Sequence, residues 1–110
     1  MAIIDDFQKL DIRVGKIINV DDCPEVKKPV FKLQIDFGDE IGIKMSCVGV
    51  KHNYTKENLI GKLILGIVNL PPRKMGPEIS EILTLGVSDK NGNCVLIQPE
   101  REVEISSKLF

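Results

Sequence analysis

The stretch Phe31-Lys32-Leu33-Gln34-Ile35-Asp36-Phe37, then Gly38-Asp39-Glu40-Ile41-Gly42, then Ile43-Lys44-Met45-Ser46-Cys47, decides the fold. Apolar and polar side chains alternate with a period of two, the pattern of a strand that buries one face. Phe31, Leu33, Ile35 and Phe37 are therefore expected inward, with Lys32, Gln34 and Asp36 outward. Two glycines bracket a turn. Ile43, Met45 and Cys47 read as the inward face of the returning strand, which makes the segment an antiparallel hairpin.

The same period extends upstream. Leu10, Ile12, Val14, Ile18 and Val20 alternate with Asp11, Arg13, Gly15 and Asn19, which predicts one long strand with Gly15 at a bulge or bend. A barrel's first strand needs such a bend to belong to both halves of the barrel. Before it, Asp5 is placed to cap a helical turn over residues 6–9, with Ile4 as the preceding apolar residue. Downstream, Thr55 and Gly61 bracket a brief helix, and the apolar run Leu63 to Leu70 reads as a strand buried on both faces. Pro71 to Pro77 reads as a proline-rich loop. Strands follow at residues 80–85 and 94–98, joined by a turn at Asp89 to Gly92, and Val103 with Ile105 predicts a last short strand.

Three strands, a short helix and two or three further strands, all closely connected, argue for an antiparallel barrel instead of a parallel α/β sheet. The fold class is all-β. A five-stranded OB-fold with a short helix after the third strand and extra terminal segments fits this order best, and an SH3-like barrel is the alternative. With 110 residues there is material for one domain, residues 1–110, with its core over about residues 10–98. The few aromatics leave Ile, Val and Leu to build that core, residues suited to a pleated surface.

A net charge of −1 argues against holding nucleic acid by bulk charge, although it permits a local basic patch. Charge is indeed clustered. Asp5, Asp6, Asp11, Asp21, Asp22 and Glu25 crowd the first quarter, and Lys27–Lys28, Lys51–His52 and Arg73–Lys74 form basic pairs later. Cys23, Cys47 and Cys94 are scattered, and with a single histidine they cannot supply the close ligand pairs of a zinc site, so no metal and no cofactor is expected. Scattered, odd-numbered thiols, no signal-peptide pattern and no apolar run of about 20 residues predict a cytoplasmic protein that does not insert into a membrane.

No catalytic residue emerges. The sequence lacks G-x-S-x-G, P-loop and H-E-x-x-H patterns. His52 reads as ordinary loop surface, and Cys47, in an inward register, reads as an inert buried thiol. Binding chemistry is better represented. Pro71–Pro72 stiffens the segment that carries Arg73 and Lys74, while Asn69 and Ser80 stand at its two rims. Such a loop suits a phosphate or a splayed nucleotide, with a plain solvated connection as the bland alternative. Only Tyr54 and Phe7 offer stacking platforms, which disfavours generic single-strand binding.

Three segments carry a resemblance that covers residues 5 to 105. Phe7-Gln-Lys-Leu-Asp-Ile-Arg-Val-Gly15, Lys32-Leu-Gln-Ile-Asp-Phe-Gly38 and Asn69-Leu-Pro-Pro-Arg-Lys-Met75 resemble the tRNA-binding domain appended to methionyl- and phenylalanyl-tRNA synthetases, which also occurs as free-standing dimers. The resemblance implies an OB-fold and a homodimer. It also implies RNA contacts at Asn69, Arg73, Lys74 and Ser80, with Ser46 near the same surface. Ser80-Glu-Ile-Leu-Thr-Leu-Gly86 is similar to the CsaA branch, small export-related chaperones. That branch implies an ATP-independent homodimer whose apolar hollow takes unfolded or precursor polypeptides. Where tRNA-binding members continue with Arg-Gly and Gly-Met, this chain has Gly76-Pro77 and Glu81–Ile82–Leu83. The change removes a cation and sets a carboxylate beside Ser80, which weakens a phosphate site. Ile3, Ile4, Phe7, Leu109 and Phe110 place apolar side chains in the terminal segments, where a two-fold partner would bury them. The expected partners are therefore a second copy, a polypeptide client and tRNA. Docking onto a synthetase is a further option with no distinctive feature behind it.

Overall fold

Eleven residues, Ile12–Asp22, form one strand, β1, that bonds to different neighbours along its length. A computed structural model describes residues 1–24 and 26–110, and Glu25 of the acidic cluster lies outside the described residues. The second half of β1, Lys16 to Asp22, pairs with β2 (Phe31–Asp36), and the first half, Ile12 to Lys16, pairs with β4 (Leu63–Ile67). Lys16 belongs to both registers. Gly15 sits at this crossover because nothing larger fits. A Cβ there would lie 2.5 Å from Ile35 Cγ2 and 2.7 Å from Phe37 Cε1. The register slips two residues later, between Ile17 and Asn19. That bulge buries Ile17 and turns Ile18 outward, reversing the expected facing of Ile18.

The hairpin of β2 and β3 (Ile43–Val48) forms as the alternation demands, and Phe31, Leu33, Ile35 and Phe37 are all buried. Its return strand faces opposite to expectation. The turn pairs Asp36 with Ile43, so Ile43 shares the outward face of Asp36 and is 55% exposed. One residue of register exchanges every side chain between faces. Ser46, opposite Leu33, is the residue that points into the barrel.

The five-stranded sheet runs β3-β2-β1-β4-β7, with β7 at Leu83–Thr84. It curls until β3 and the segment before β7 almost meet, giving a nearly closed antiparallel barrel, an OB-fold. Glu81 makes much of that seam. Its N–H donates to the Met45 carbonyl at 2.8 Å, and its Oε1 accepts the Met45 N–H at 2.9 Å. Helix α2 (Lys56–Leu59) caps one end, with Thr55 as N-cap as expected, and inserts the buried Leu59. Strands β8 (Gly86–Ser88) and β9 (Cys94–Leu96) form a hairpin, its turn held by Asp89 Oδ1 accepting the N–H groups of Asn91 and Asn93.

The termini meet at the Ile12 end of β1. Helix α1 (Ile4–Gln8) begins before the expected position, and its capping carboxylate is Asp6, which accepts the Ile3 N–H at 3.0 Å; Asp5 lies inside the first turn. No strand forms at Val103 or Ile105. The tail instead runs along the free edge of β1. Ser106 N–H donates to the Val14 carbonyl, Val14 N–H to the Ser107 carbonyl and Leu109 N–H to the Ile12 carbonyl. These bonds supply partners for an edge that would otherwise be open.

Candidate functional site

The expected loop after β4 is a second hairpin. Strands β5 (Arg73–Met75) and β6 (Glu78–Ser80) pair Arg73 with Ser80, Lys74 with Ile79 and Met75 with Glu78, and Gly76–Pro77 forms the tip. Both prolines of Pro71–Pro72 and the tip Pro77 lie outside the paired residues, where a missing N–H costs no ladder bond. The hairpin lies over a small second core of Cys23, Val30 and Cys47, against which Met75 and Val26 pack. An ion pair anchors it further, Lys32 Nζ to Glu78 Oε2 at 3.1 Å. Hydrogen bonding to Glu78 holds the Lys32 ammonium above its ordinary range.

Five residues were singled out around this hairpin, and they divide into two groups. Arg73 and Lys74 are exposed, and among the described residues neither has a carboxylate within salt-bridge distance. The other three are committed to the fold. Ser80 is 1% exposed; its Oγ accepts the Cys47 N–H and donates to the Ile82 carbonyl, each at 3.1 Å. Ser46 is fully buried with its hydroxyl 2.7 Å from that of Thr84. Asn69 clamps the chain before β1, its Oδ1 accepting the Asp11 N–H and its Nδ2 donating to the Lys9 carbonyl. The hydroxyls of Ser46 and Ser80 thus face protein, not solvent: Ser80 fixes the base of the hairpin against β3, and Ser46 ties β3 to β7.

The rest of the chemistry is quiet. Burial pushes the Cys47 thiol up to about 11 and raises that of Cys23, so both are protonated, apolar packing groups at neutral pH. Among the described residues, no group of three or more His, Cys, Asp or Glu side chains is placed to hold a metal ion. His52 is exposed. Tyr54 is no free stacking platform, since its hydroxyl accepts the Leu96 N–H at 3.1 Å and Lys62 Nζ sits 5.8 Å from its ring centroid. Among the described residues, no helix is long and apolar enough to cross a membrane.

The second candidate surface lies at the other end of β1. Ile4, Phe7, Gln8, Leu10, Leu109 and Phe110 line an open, mainly apolar hollow of about 400 Å³. A neighbouring hollow of about 260 Å³ adds Val14, Leu65, Pro99 and Val103. Ile3 and Ile4 are 63% and 67% exposed at its edge. The terminal residues picked out by composition are therefore brought together.

Sequence reasoning missed Thr84 and, although it picked out Glu81, missed the structural role of its carboxylate. Each is polar in a run that reads as strand, and only the meeting of β7 with β3 gives them partners. The carboxylate beside Ser80 is consequently a structural acceptor, and not simply a charge set against a phosphate.

Comparison with known proteins agrees with this arrangement. Residues 12–108 match the model of the family described as "Putative tRNA binding domain". A methionine–tRNA ligase of Archaeoglobus fulgidus is 41% identical over 107 residues, 96% of this chain; the chain spans only 16% of that ligase's length. The crystal structure of a CsaA chaperone protein from Picrophilus torridus superposes with a TM-score of 0.93 at 43% identity, covering 100% of both chains. The CsaA chaperone of Bacillus anthracis gives 0.90 at 36% identity, covering 100% of this chain and 99% of that one. On the strength of a match spanning nearly its whole length, the chain belongs to the tRNA-binding domain family.

Proposed function

We propose that this chain, one domain over residues 1–110, is a non-catalytic, ATP-independent, CsaA-like homodimer that binds unfolded or export-destined polypeptides in the cytoplasm. The observation that carries this reading is the end-to-end likeness to a CsaA chaperone at 43% identity. The apolar terminal hollow supports it: Ile3, Ile4 and Phe110 are left exposed beside it, and clustered exposed apolar side chains mark a candidate interaction site. A symmetric partner would cover Ile3, Ile4, Phe7, Leu109 and Phe110 and leave Val14, Leu65, Pro99 and Val103 of the neighbouring hollow to a client. In the test, a urea-denatured client is diluted into buffer with the protein and no nucleotide, and light scattering is followed. Suppressed aggregation is expected. Equal association with folded and unfolded client, or with neither, overturns the reading. Sedimentation supplies the second arm: the wild type is expected as a dimer and Ile4→Asp as a monomer.

The exposed Arg73 and Lys74, which have no salt-bridge partner among the described residues, favour a second activity, structural recognition of tRNA by the β5–β6 hairpin. In this reading Ser80 fixes the hairpin that carries the two cations to β3, while Asn69 anchors the chain ahead of it and Ser46 ties β3 to β7. It predicts a salt-sensitive tRNA complex that weakens several-fold in Arg73→Ala/Lys74→Ala. The hairpin and the terminal hollow lie at opposite ends of β1, so both activities fit one molecule.

A further inference from the structure

Two of the three thiols share one place in the fold. Cys23 follows the last residue of β1, and Cys47 lies near the end of β3. The strand between them, β2, pairs with both, Asp22 opposite Phe31 and Lys32 opposite Cys47. Cys47 therefore takes the outward side of the barrel with Lys32, where the β5–β6 hairpin covers it. Cys23 reaches the same side, and the two side chains pack in one cluster with Val30, against Val26 and Met75. They are 3% and 5% exposed. Burial raises both thiols; a hydrogen bond between the two adds to the rise at Cys47 and opposes it at Cys23.

The backbone that carries each thiol is braced. Cys47 N–H donates to Ser80 Oγ at 3.1 Å, and the Cys23 carbonyl accepts the Val26 N–H at 3.0 Å. Cys94 stands apart. It packs on the main core from β9, and its thiol fills the space beside Gly86, where a Cβ would lie 2.5 Å from the Cys94 sulfur. The fold thus sorts three scattered cysteines into one touching pair and one bystander.

We infer that Cys23 and Cys47 form a dithiol modification site, whose two sulfurs close to a disulfide that fastens the end of β1 to β3 beneath the hairpin. The co-reactant is a low-molecular-weight disulfide of the glutathione class. One protein thiolate attacks a sulfur of that disulfide and expels a small thiolate, leaving a mixed disulfide. The second protein thiol gives its proton to solvent and attacks the protein sulfur of the mixed disulfide, expelling the other small thiolate. Two protein thiols and one small disulfide become one protein disulfide and two small thiols. In the folded chain both thiols are covered and protonated, so the exchange runs while the chain folds or when the second core opens. The fold contributes proximity. Residues far apart in sequence are held in contact, so the bridge costs the folded state little and restricts the unfolded one.

The test refolds the full chain from urea by dilution into a buffer of reduced and oxidised glutathione, then quenches with acid and maps the thiols by peptide mass. Wild type and Cys94→Ser are run together, and the wild-type map decides alone if the variant does not refold. The expected product has lost two hydrogens, carries no glutathione on Cys23 or Cys47 and yields a peptide pair joined through those two residues. At one glutathione ratio the bridge is favoured on the order of 10²-fold more in the refolded chain than in urea, as closing a loop of roughly 25 residues implies. The same loop raises the urea midpoint of the bridged chain by roughly 2 M over the reduced chain, and dithiothreitol reverses the rise. Free thiols or glutathione adducts at Cys23 and Cys47, or a wild-type bridge that takes Cys94 instead, overturn the inference. So does a bridged chain whose midpoint is unchanged or lower, because the fold would then hold the two sulfurs out of bonding geometry.

Discussion

Replacing Ser80 by alanine separates a framework role from a contact role. The hydroxyl it removes accepts the Cys47 N–H and donates to the Ile82 carbonyl, and Cys47 and Ile82 are 5% and 2% exposed. Water cannot substitute without opening the seam between β3 and β6. A buried group left without its partner costs about 1–3 kcal/mol, less for a carbonyl that has a second lone pair, so Ser80→Ala is expected to lose roughly 2–4 kcal/mol. That is a large part of the roughly 5–15 kcal/mol that holds a domain of this kind together. With a urea m-value of about 1.5 kcal/mol/M, the midpoint falls by roughly 1.3–2.7 M. Ser46→Ala strands only the Thr84 hydroxyl and costs about 1–2 kcal/mol; adding Thr84→Val removes that orphan and recovers most of the loss. Equilibrium urea unfolding followed by circular dichroism reads all four proteins. While folded, Ser80→Ala keeps its tRNA affinity. A Ser80→Ala protein as stable as wild type but unable to bind tRNA would refute this assignment, because the hydroxyl would then face the ligand.

Four other expectations follow from the geometry. Gly15→Ala drives a methyl into Ile35 and Phe37 and costs about 1–3 kcal/mol by thermal unfolding. Gly49→Ala, whose nearest neighbour is 3.9 Å away, stays within about 0.5 kcal/mol of wild type. Cys47, its thiol raised to about 11, stays unlabelled by a thiol reagent at pH 7.5 until the protein is denatured; labelling of the native protein would show that the second core opens. Hydrogen bonds from Lys56 and Lys51 hold the Asp22 carboxyl below its ordinary range. Its small contribution is therefore complete above an unfolded value of about pH 3.9 and lost as pH falls through the lower folded value. The urea midpoints of wild type and Asp22→Asn differ slightly at pH 7 and converge in strong acid.

How much of this was legible in the sequence depended on whether the signal was local. Phe31 to Phe37 repeats with period two on a strand that buries one face, so its orientation could be read directly. The return strand could not, since the pairing of Asp36 with Ile43 is set by the geometry of the turn and decides whether Met45 or Ser46 points inward. The bulge after Ile17 is likewise a product of pairing with two neighbours. The β5–β6 hairpin escaped notice because it stands outside the barrel: its exposed residues show no core alternation, and its flanking prolines read as loop. Arg73 and Lys74 were legible as exposed cations. The commitments of Ser46, Asn69 and Ser80 were not, because a hydroxyl or amide reveals its partner only when distant strands meet.

The central claim is that a polypeptide-binding surface at the termini works independently of the cations on the hairpin. Its most direct test is the ATP-free aggregation assay run side by side on wild type and Arg73→Ala/Lys74→Ala, each with and without saturating tRNA. The account predicts equal suppression of client aggregation in all four samples. Suppression that vanishes with the two cations, or that tRNA abolishes, or that is absent from the wild type, would contradict it.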